Sequence, residues 1–222
     1  MTWGHWYYWK KKMLAKAHFY KHHCKIPCFT RGVMIDTPNG PVAVEDLVEG
    51  DLVMTADNGA QPVRWIGSMK IDAQMLSEQP ELAPIRIKAG ALGGGLPTRD
   101  LLVSAEHAVL LTDWRAELVA DESTVLAPAK LLVNDSDIRP ADVEEVEYFH
   151  LVFDQHQIVF AEGAAVETYR PTGKNYEAFD EARQAELLKL FPMLETDGLA
   201  YGPAARPVLS DQDWVAMSAL SS

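Results

Sequence analysis

Cys28-Phe29-Thr30-Arg31-Gly32 opens the stretch of sequence that organises the rest of the chain. Residues 33–37 then alternate between core-type and polar positions, which is typical of a half-buried strand. Pro38-Asn39-Gly40 supplies turn residues. A second strand is predicted to open at Gly50-Asp51-Leu52-Val53. The stretch therefore predicts a cysteine at the head of a β-rich unit.

The body of the chain reads as a series of short strands separated by turn signals. Asn58-Gly59 favours a tight hairpin between two of them. Short strands at this density indicate an all-β domain. Further strands are predicted at residues 62–67, 84–89, 101–103, 109–111, 147–153 and 157–160.

Helical signals are sparse. Only residues 176–190 have convincing helical spacing of apolar positions. The stretch 72–82 is predicted to be a polar connection, and 127–133 to hold one or two helical turns. The expected architecture is thus a β domain followed by a C-terminal helical extension.

Composition limits the possible function classes. The chain has 222 residues, 48% hydrophobic and 23% charged, which suits one domain with extensions. No apolar run approaches the ~20 residues of a membrane span, and no standard secretory signal is recognisable. The sequence therefore assigns no compartment.

The first 27 residues differ from the rest in charge. They carry six lysines and no acid, so of the net charge of −12 the remainder carries −18. An acidic body argues against nucleic-acid binding by that body. Residues 1–25 also hold aromatic side chains, which could contact an anionic membrane surface or stack on nucleic acid. The alternative is a poorly ordered leader, which the irregular apolar spacing favours.

Two cysteines invite two further hypotheses. Cys24 and Cys28 are close enough in sequence for a disulfide that would block the Cys28 thiol, although Cys24 can equally be incidental. His22-His23-Cys24 followed by Cys28 is not a usual zinc spacing, and no second ligand pair follows. We therefore expect neither a metal nor another cofactor.

Three sequence blocks in order resemble the Hint domain, the module of Hedgehog autoprocessing domains and inteins. The cysteine block at 28–53 resembles its first block, and Ser104-Ala105-Glu106-His107 resembles its Thr-x-x-His block with a serine that keeps the hydroxyl. Tyr148-Phe149-His150-Leu151 resembles the start of its terminal block, where many inteins have aspartate in place of His150. Gly163 then precedes the last predicted strand at the expected spacing.

The resemblance implies a horseshoe of short strands and a three-part chain. These parts are a basic aromatic leader at 1–27, a Hint-like domain at 28–170 and a helical extension at 171–222. Bacterial Hint-domain proteins that end in an acidic helix and an Ala-Arg-Pro-Val-Leu run look most similar. That run occupies residues 205–209 here.

The resemblance also implies self-cleavage. Cys28 would attack the Pro27 carbonyl to form a thioester, His107 would protonate the leaving amine, and Ser104 would orient the scissile peptide or polarise its carbonyl. His150 would be a second proton-transfer group. The leader is then the substrate, and water or another small nucleophile resolves the thioester. The alternative for each histidine is a satisfied core residue, and for Cys28 simple burial.

Two departures from the family pattern limit the expected reaction. Thr168 stands where a splicing intein has its terminal asparagine, and threonine cannot cyclise onto its own peptide bond. Pro27 restricts the backbone just before the scissile carbonyl. The sequence therefore predicts single-turnover autoproteolysis without splicing. A non-catalytic binding or scaffold module with the Hint fold is the alternative.

Overall fold

The structure, a computed structural model, describes residues 26–173 and 175–220. The leader before Ile26, including Cys24, lies outside the described residues, so its predicted membrane contact and disulfide stay predictions. The three-part division of the chain also stays a prediction.

Short antiparallel strands build the body of the chain, in agreement with the all-β prediction. Several are only two to four residues long, so each strand depends on its neighbours for stability. The described strands are β1 (Phe29–Thr30), β2 (Met34–Thr37), β3 (Gly40–Ala43), β4 (Leu52–Thr55), β5 (Gly59–Pro62), β6 (Trp65–Ile71), β7 (Ile85–Ile87), β8 (Leu101–Val103), β9 (Ala108–Thr112), β10 (Thr124–Pro128), β11 (Ile138–Pro140), β12 (Val146–Val152), β13 (Ile158–Ala161) and β14 (Ala164–Glu167).

These strands form two sheets. One has six strands in the order β11-β7-β8-β1-β12-β6. The other has eight strands, with β10-β9-β14-β13-β2-β3 as its main path and β4 and β5 joined through β13. A large apolar core includes residues of both sheets, among them Phe29 and Phe149 of the first and Ile35 and Val166 of the second.

The helices are short, and the two longest of those described lie in the C-terminal extension. They are α1 (Ala73–Glu78), α2 (Glu117–Ala120), α3 (Glu181–Leu190) and α4 (Asp211–Ala219). Single 3-10 turns occupy Val44–Asp46, Pro80–Leu82, Trp114–Ala116, Ala129–Leu132, Asn175–Ala178 and Pro192–Glu195. An all-β domain with a C-terminal helical extension is therefore the observed fold class.

Two local predictions need correction. The supposed polar connection at 72–82 contains α1, which begins where the Asp72 side chain accepts a hydrogen bond from the Met75 N–H. The single helix expected at 176–190 is divided, because Asp180 caps a new helix by accepting from the Arg183 N–H. The prediction for residues 127–133 is confirmed, since one 3-10 turn follows the end of β10 there.

A second apolar cluster lies on the other face of the six-stranded sheet. It includes Ile26 and Cys28 from the start of the described chain, and Trp65 and Tyr148 from β6 and β12. The C-terminal extension supplies much of the rest of the cluster: Tyr176, Ala178, Phe179, Leu187, Phe191, Leu194 and Tyr201. Packing of the extension therefore covers the face of the sheet on which the Cys28 side chain lies.

The Ala-Arg-Pro-Val-Leu run at residues 205–209 is bound to the β domain by hydrogen bonds and an ion pair. Leu126 of β10 donates its N–H to the Pro207 carbonyl at 2.8 Å and accepts from the Leu209 N–H at 2.9 Å. Arg206 pairs with Asp57 at 2.7 Å. The Ala-Arg-Pro-Val-Leu run thus adds an extra segment beside β10 and holds the extension in place.

Candidate active site

Strand pairing places Cys28 between two polar side chains. Phe29 is opposite Phe149 of β12 and opposite Val103 of β8, and both pairs are antiparallel. One residue earlier, the same registers put Cys28 opposite His150 on one side and Ser104 on the other. Because side chains alternate between the faces of a strand, Cys28 and His150 share the face away from Phe29.

The Ser104 hydroxyl holds the backbone around the predicted scissile bond. It accepts a hydrogen bond from the Cys28 N–H at 3.0 Å and donates one to the Ile26 carbonyl at 2.9 Å. The Ser104 N–H also donates to the Cys28 carbonyl at 3.0 Å. Ser104 therefore orients this peptide segment, and the described hydrogen bonds of its hydroxyl do not include the Pro27 carbonyl.

His150 lies between the Pro27 carbonyl and the Cys28 sulfur. Its Nδ1 is 3.1 Å from the Pro27 oxygen, and its Nε2 is 3.8 Å from Cys28 Sγ. A carbonyl oxygen can only accept, so the short contact assigns the proton to Nδ1. The tautomer that results leaves the Nε2 lone pair facing the thiol. The ring is fully buried.

The Cys28 thiol is in its protonated form in the resting site. The residue is 1% exposed, and its Sγ donates to the Ile26 carbonyl at 3.1 Å. Burial raises the pKa of the Cys28 thiol well above its usual range, and the nearby Ser104 hydroxyl offsets only part of that shift. A nucleophilic sulfur therefore needs a base beside it.

His107 occupies a different environment from His150. It is fully buried, packs edge-to-face on Phe29 at 4.5 Å between ring centroids, and neither ring nitrogen has a hydrogen-bond partner among the described residues. Burial lowers the pKa of His107 to about 4, although the Glu167 carboxylate and the backbone of Cys28 and Glu167 act in the opposite direction. The ring is neutral at neutral pH.

Aromatic rings surround His150 on the side of the C-terminal extension. The ring of Phe179 lies 4.9 Å from it and that of Tyr169 5.8 Å, both edge-on. Phe179 also contacts Trp65 at 5.1 Å between centroids. Gly67 is opposite His150 on β6, and a Cβ there would collide with the Trp65 ring. The absence of a side chain at Gly67 thus leaves room for the Trp65 ring, which packs on Phe179 beside His150.

Three of the four residues predicted for the site meet at the Pro27–Cys28 peptide. Cys28, Ser104 and His150 are in direct contact with it or with each other. His107 packs on Phe29, which belongs to the opposite face of β1, although it lies close to the Cys28 backbone. Sequence reasoning missed Tyr169 and Phe179. The apolar spacing of the extension was the only signal for Phe179, and it did not say what that residue contacts.

Two further classes of site find no support among the described residues. In the part of the chain that the structure covers, no group of three or more His, Cys, Asp or Glu side chains could hold a metal ion. Nor does any helix there reach the length and apolarity needed to cross a bilayer.

Comparison with known proteins agrees with this geometry. The Hint domain family matches residues 27–173, which is well over half of the chain. The chain belongs to the Hint domain family. No curated protein matches it.

Solved structures of inteins are similar to this Hint domain, at low identity. The gp41-1 intein is 14% identical, covers 63% of this chain and 97% of its own, and has a TM-score of 0.36. An intein-like domain from Clostridium thermocellum is 15% identical, covers 64% of this chain and 97% of its own, and has a TM-score of 0.39. A DnaB intein from Synechocystis sp. PCC 6803 is 14% identical, covers 64% of this chain and 98% of its own, and has a TM-score of 0.41. At these scores the family assignment depends on the sequence match and not on superposition.

The buried His107 makes stability depend on pH in a defined direction. Its folded pKa is about 4, below the 6.5 of an ordinary histidine. Between these values the unfolded chain binds the proton and the folded protein does not. The free energy of unfolding therefore has its full value above about pH 6.5, and it falls by up to ~3 kcal/mol as the pH drops to 4.

This effect can be isolated with His107→Leu, which replaces the imidazole with an apolar side chain of similar size that does not titrate. Urea unfolding at several pH values should show a smaller loss of stability between pH 7 and 4 in the variant than in the wild type. Parallel pH profiles for the two proteins would contradict a neutral, desolvated His107.

Proposed function

We propose that this Hint domain cleaves its own backbone between Pro27 and Cys28 through a thioester, without splicing. One observation carries the proposal: a single buried imidazole, His150, contacts both the Pro27 carbonyl oxygen and the Cys28 sulfur. The two contacts are those required to make a carbonyl more electrophilic and a thiol more nucleophilic at the same time.

The first step is attack by sulfur. His150 Nε2 takes the Cys28 thiol proton, and the thiolate attacks the Pro27 carbonyl carbon. Negative charge then develops on the Pro27 oxygen, which accepts the Nδ1–H hydrogen bond. Because the site is buried, this charge is stabilised by fixed donors more strongly than it would be in water.

The second step breaks the Pro27–Cys28 C–N bond. The Cys28 nitrogen must gain a proton to leave as an amine, and His107 is the proposed donor. A ring with a pKa of about 4 is neutral at rest, so His107 takes up a proton as His150 releases to solvent the one that it took from Cys28 Sγ. The His107 imidazolium is then a strong acid beside the Cys28 backbone, and giving its proton to the Cys28 nitrogen restores both neutral rings. Ser104 keeps the Cys28 N–H and the Ile26 carbonyl aligned throughout.

Splicing is not part of the proposal because the C-terminal end of the domain lacks the required chemistry. Thr168 is fully buried, its hydroxyl donates to the Gln157 carbonyl at 3.2 Å, and its own carbonyl lies 3.0 Å from His156 Nε2. Nothing there can cyclise onto the following peptide bond. The thioester is instead resolved by water or another nucleophile, which releases the leader.

Cys28→Ala should abolish release of the leader, because Cys28 carries the only thiol next to the Pro27 carbonyl among the described residues. Purified protein would be followed by intact mass over time. Cys24→Ala is the matched control and should cleave at the wild-type rate. Equal cleavage in wild type and Cys28→Ala would falsify the thioester mechanism.

Substitution at His150 separates its two roles. Asn has an amide nitrogen where the imidazole has Nδ1 but nothing where it has Nε2, so His150→Asn keeps a donor for Pro27 and loses the base. We expect His150→Asn to be slower than wild type by roughly 10²–10⁴-fold, and His150→Ala to be slower still.

Cleavage rates of these two variants would be measured by quantifying the intact and cleaved chains, with folding checked by circular dichroism. A folded His150→Asn that cleaves at the wild-type rate would show that His150 is not the base. Equal rates in the Asn and Ala variants would show that its contact with the Pro27 oxygen contributes nothing.

A non-catalytic binding or scaffold module is the second candidate, and one observation favours it. The Cys28 sulfur is almost completely buried and already hydrogen-bonded to the Ile26 carbonyl. If the protein used the fold only for binding, both the wild type and Cys24→Ala would keep the mass of the intact chain throughout the time course.

A further inference from the structure

We propose that Glu167 enables His107 to act as the acid of the second step, because its buried negative charge stabilises the imidazolium form of that ring. This inference rests on the proposed function and adds a positioning residue to the same site. Glu167 is the last residue of β14. The charge, and not a contact with the scissile peptide, is what it contributes.

Strand pairing places the Glu167 carboxylate against the backbone of His107. Val166 of β14 is opposite Val109 of β9 in an antiparallel pair. One residue further along, the same register brings Glu167 level with Ala108. Glu167 Oε1 accepts the Ala108 N–H at 2.8 Å, and this N–H belongs to the peptide bond between His107 and Ala108. The carboxylate is therefore fixed next to the residue whose ring it would stabilise.

The neighbouring histidine holds this carboxylate without cancelling its charge. Glu167 is 7% exposed, and its one ion-pair contact among the described residues is with His156, whose Nε2 lies 3.3 Å from Oε2. His156 is neutral, because its Nδ1 accepts the Ala205 N–H at 3.0 Å and so carries no proton. Its Nε2–H donates to the Thr168 carbonyl at 3.0 Å and faces Glu167. The negative charge of Glu167 is thus available to another group.

The His107 ring is the group that needs such a charge. It is fully buried, and neither ring nitrogen has a hydrogen-bond partner in the part of the chain that the structure describes. A buried cation is costly unless an opposite charge lies near it. Glu167 raises the pKa of His107 and His156 lowers it, while Cys28 acts through its backbone. Glu167 therefore supplies the negative charge that offsets part of the cost of burial.

Glu167 acts through His107 and transfers no proton itself. In the second step the His107 proton moves to the Cys28 nitrogen, and the bond between that nitrogen and the Pro27 carbonyl carbon breaks. The carboxylate keeps its charge before and after this transfer. Its effect is to increase the fraction of His107 rings that carry a proton, which is the form that the step consumes.

The test measures the His107 ring in the full chain. Cys28→Ala keeps the chain uncleaved, and NMR follows the ring shifts of His107 as the pH is lowered from about 7.5 to about 4.5. Glu167→Gln in this background keeps an oxygen for the Ala108 N–H and removes the charge. The pKa of His107 should then fall below its value of about 4, so that less of the ring is protonated at each pH.

Two control variants separate charge from packing. Glu162→Gln removes another buried glutamate from the turn between β13 and β14, but Glu162 pairs with Arg99 and accepts the Met34 N–H. His156→Gln disturbs the hydrogen bonds of Glu167 without removing its charge. Neither control should lower the pKa of His107. An unchanged titration in Glu167→Gln, or an equal fall in either control, would overturn the proposal.

Cleavage rates in proteins that retain Cys28 connect this charge to the reaction. At neutral pH, Glu167→Gln should cleave roughly three- to tenfold more slowly than Glu162→Gln, because the smaller imidazolium population outweighs its greater acidity. Circular dichroism would check that both variants are folded. A folded Glu167→Gln that cleaves at the rate of Glu162→Gln would contradict the positioning role alone. A wild type that never cleaves would overturn the proposed function and this role with it.

Discussion

The pairing of β1 with both of its neighbours is the constraint on which the site depends. This strand has only two residues, yet it lies between β8 and β12 in the middle of the six-stranded sheet. Its registers bring a hydroxyl and an imidazole to the two sides of one cysteine, although Ser104 and His150 are 76 and 122 residues away in sequence. A shift of one residue would turn Cys28 to the opposite face.

Burial explains why the site needs all of its parts. Removing the Cys28 thiol from water stabilises its neutral form, as does removing His107 from water, so neither group is ready to react alone. In the proposed reaction the Nε2 lone pair of His150 would be the base, and its Nδ1–H would be the donor to the Pro27 oxygen. The same burial strengthens these interactions, since fixed dipoles act more strongly where water is excluded.

The C-terminal extension packs against the same face of the sheet as the candidate site. Leu187 and Phe191 join the cluster that contains Ile26 and Cys28, and Phe179 packs directly on the His150 ring. Loss of the extension would expose this face of the sheet. Ile26, Cys28 and the extension thus share a single apolar cluster, and this cluster is complete only when the extension is folded onto the sheet.

Sequence patterns predicted the type of fold and the residues near the scissile bond, for physical reasons that differ between elements. Alternation and turn residues report strand formation locally, and the order of the cysteine, Ser-x-x-His and Tyr-Phe-His blocks points to Cys28, Ser104, His107 and His150. The helix α1 was missed because only Leu76 in it is buried, which leaves no periodic apolar face.

Contacts between distant parts of the chain could not be predicted from local sequence patterns. The neutral state of His107 and the position of Phe179 on His150 both arise from tertiary packing. No periodicity within a window of the sequence encodes them. The split of the expected 176–190 helix at Asp180 has the same origin in part, since Phe179 is directed into the cluster before the cap.

The central claim is that a thioester links Pro27 to Cys28, and the mass of the leader released in hydroxylamine tests it most directly. Attack by hydroxylamine on a thioester leaves a hydroxamate at the attacked carbonyl, whereas a bond cut by ordinary proteolysis leaves a carboxylate. Fragmentation of the released leader by tandem mass spectrometry should place the hydroxamate on Pro27. A leader that carries only a carboxylate in saturating hydroxylamine, or a hydroxamate on any other residue, would contradict the account.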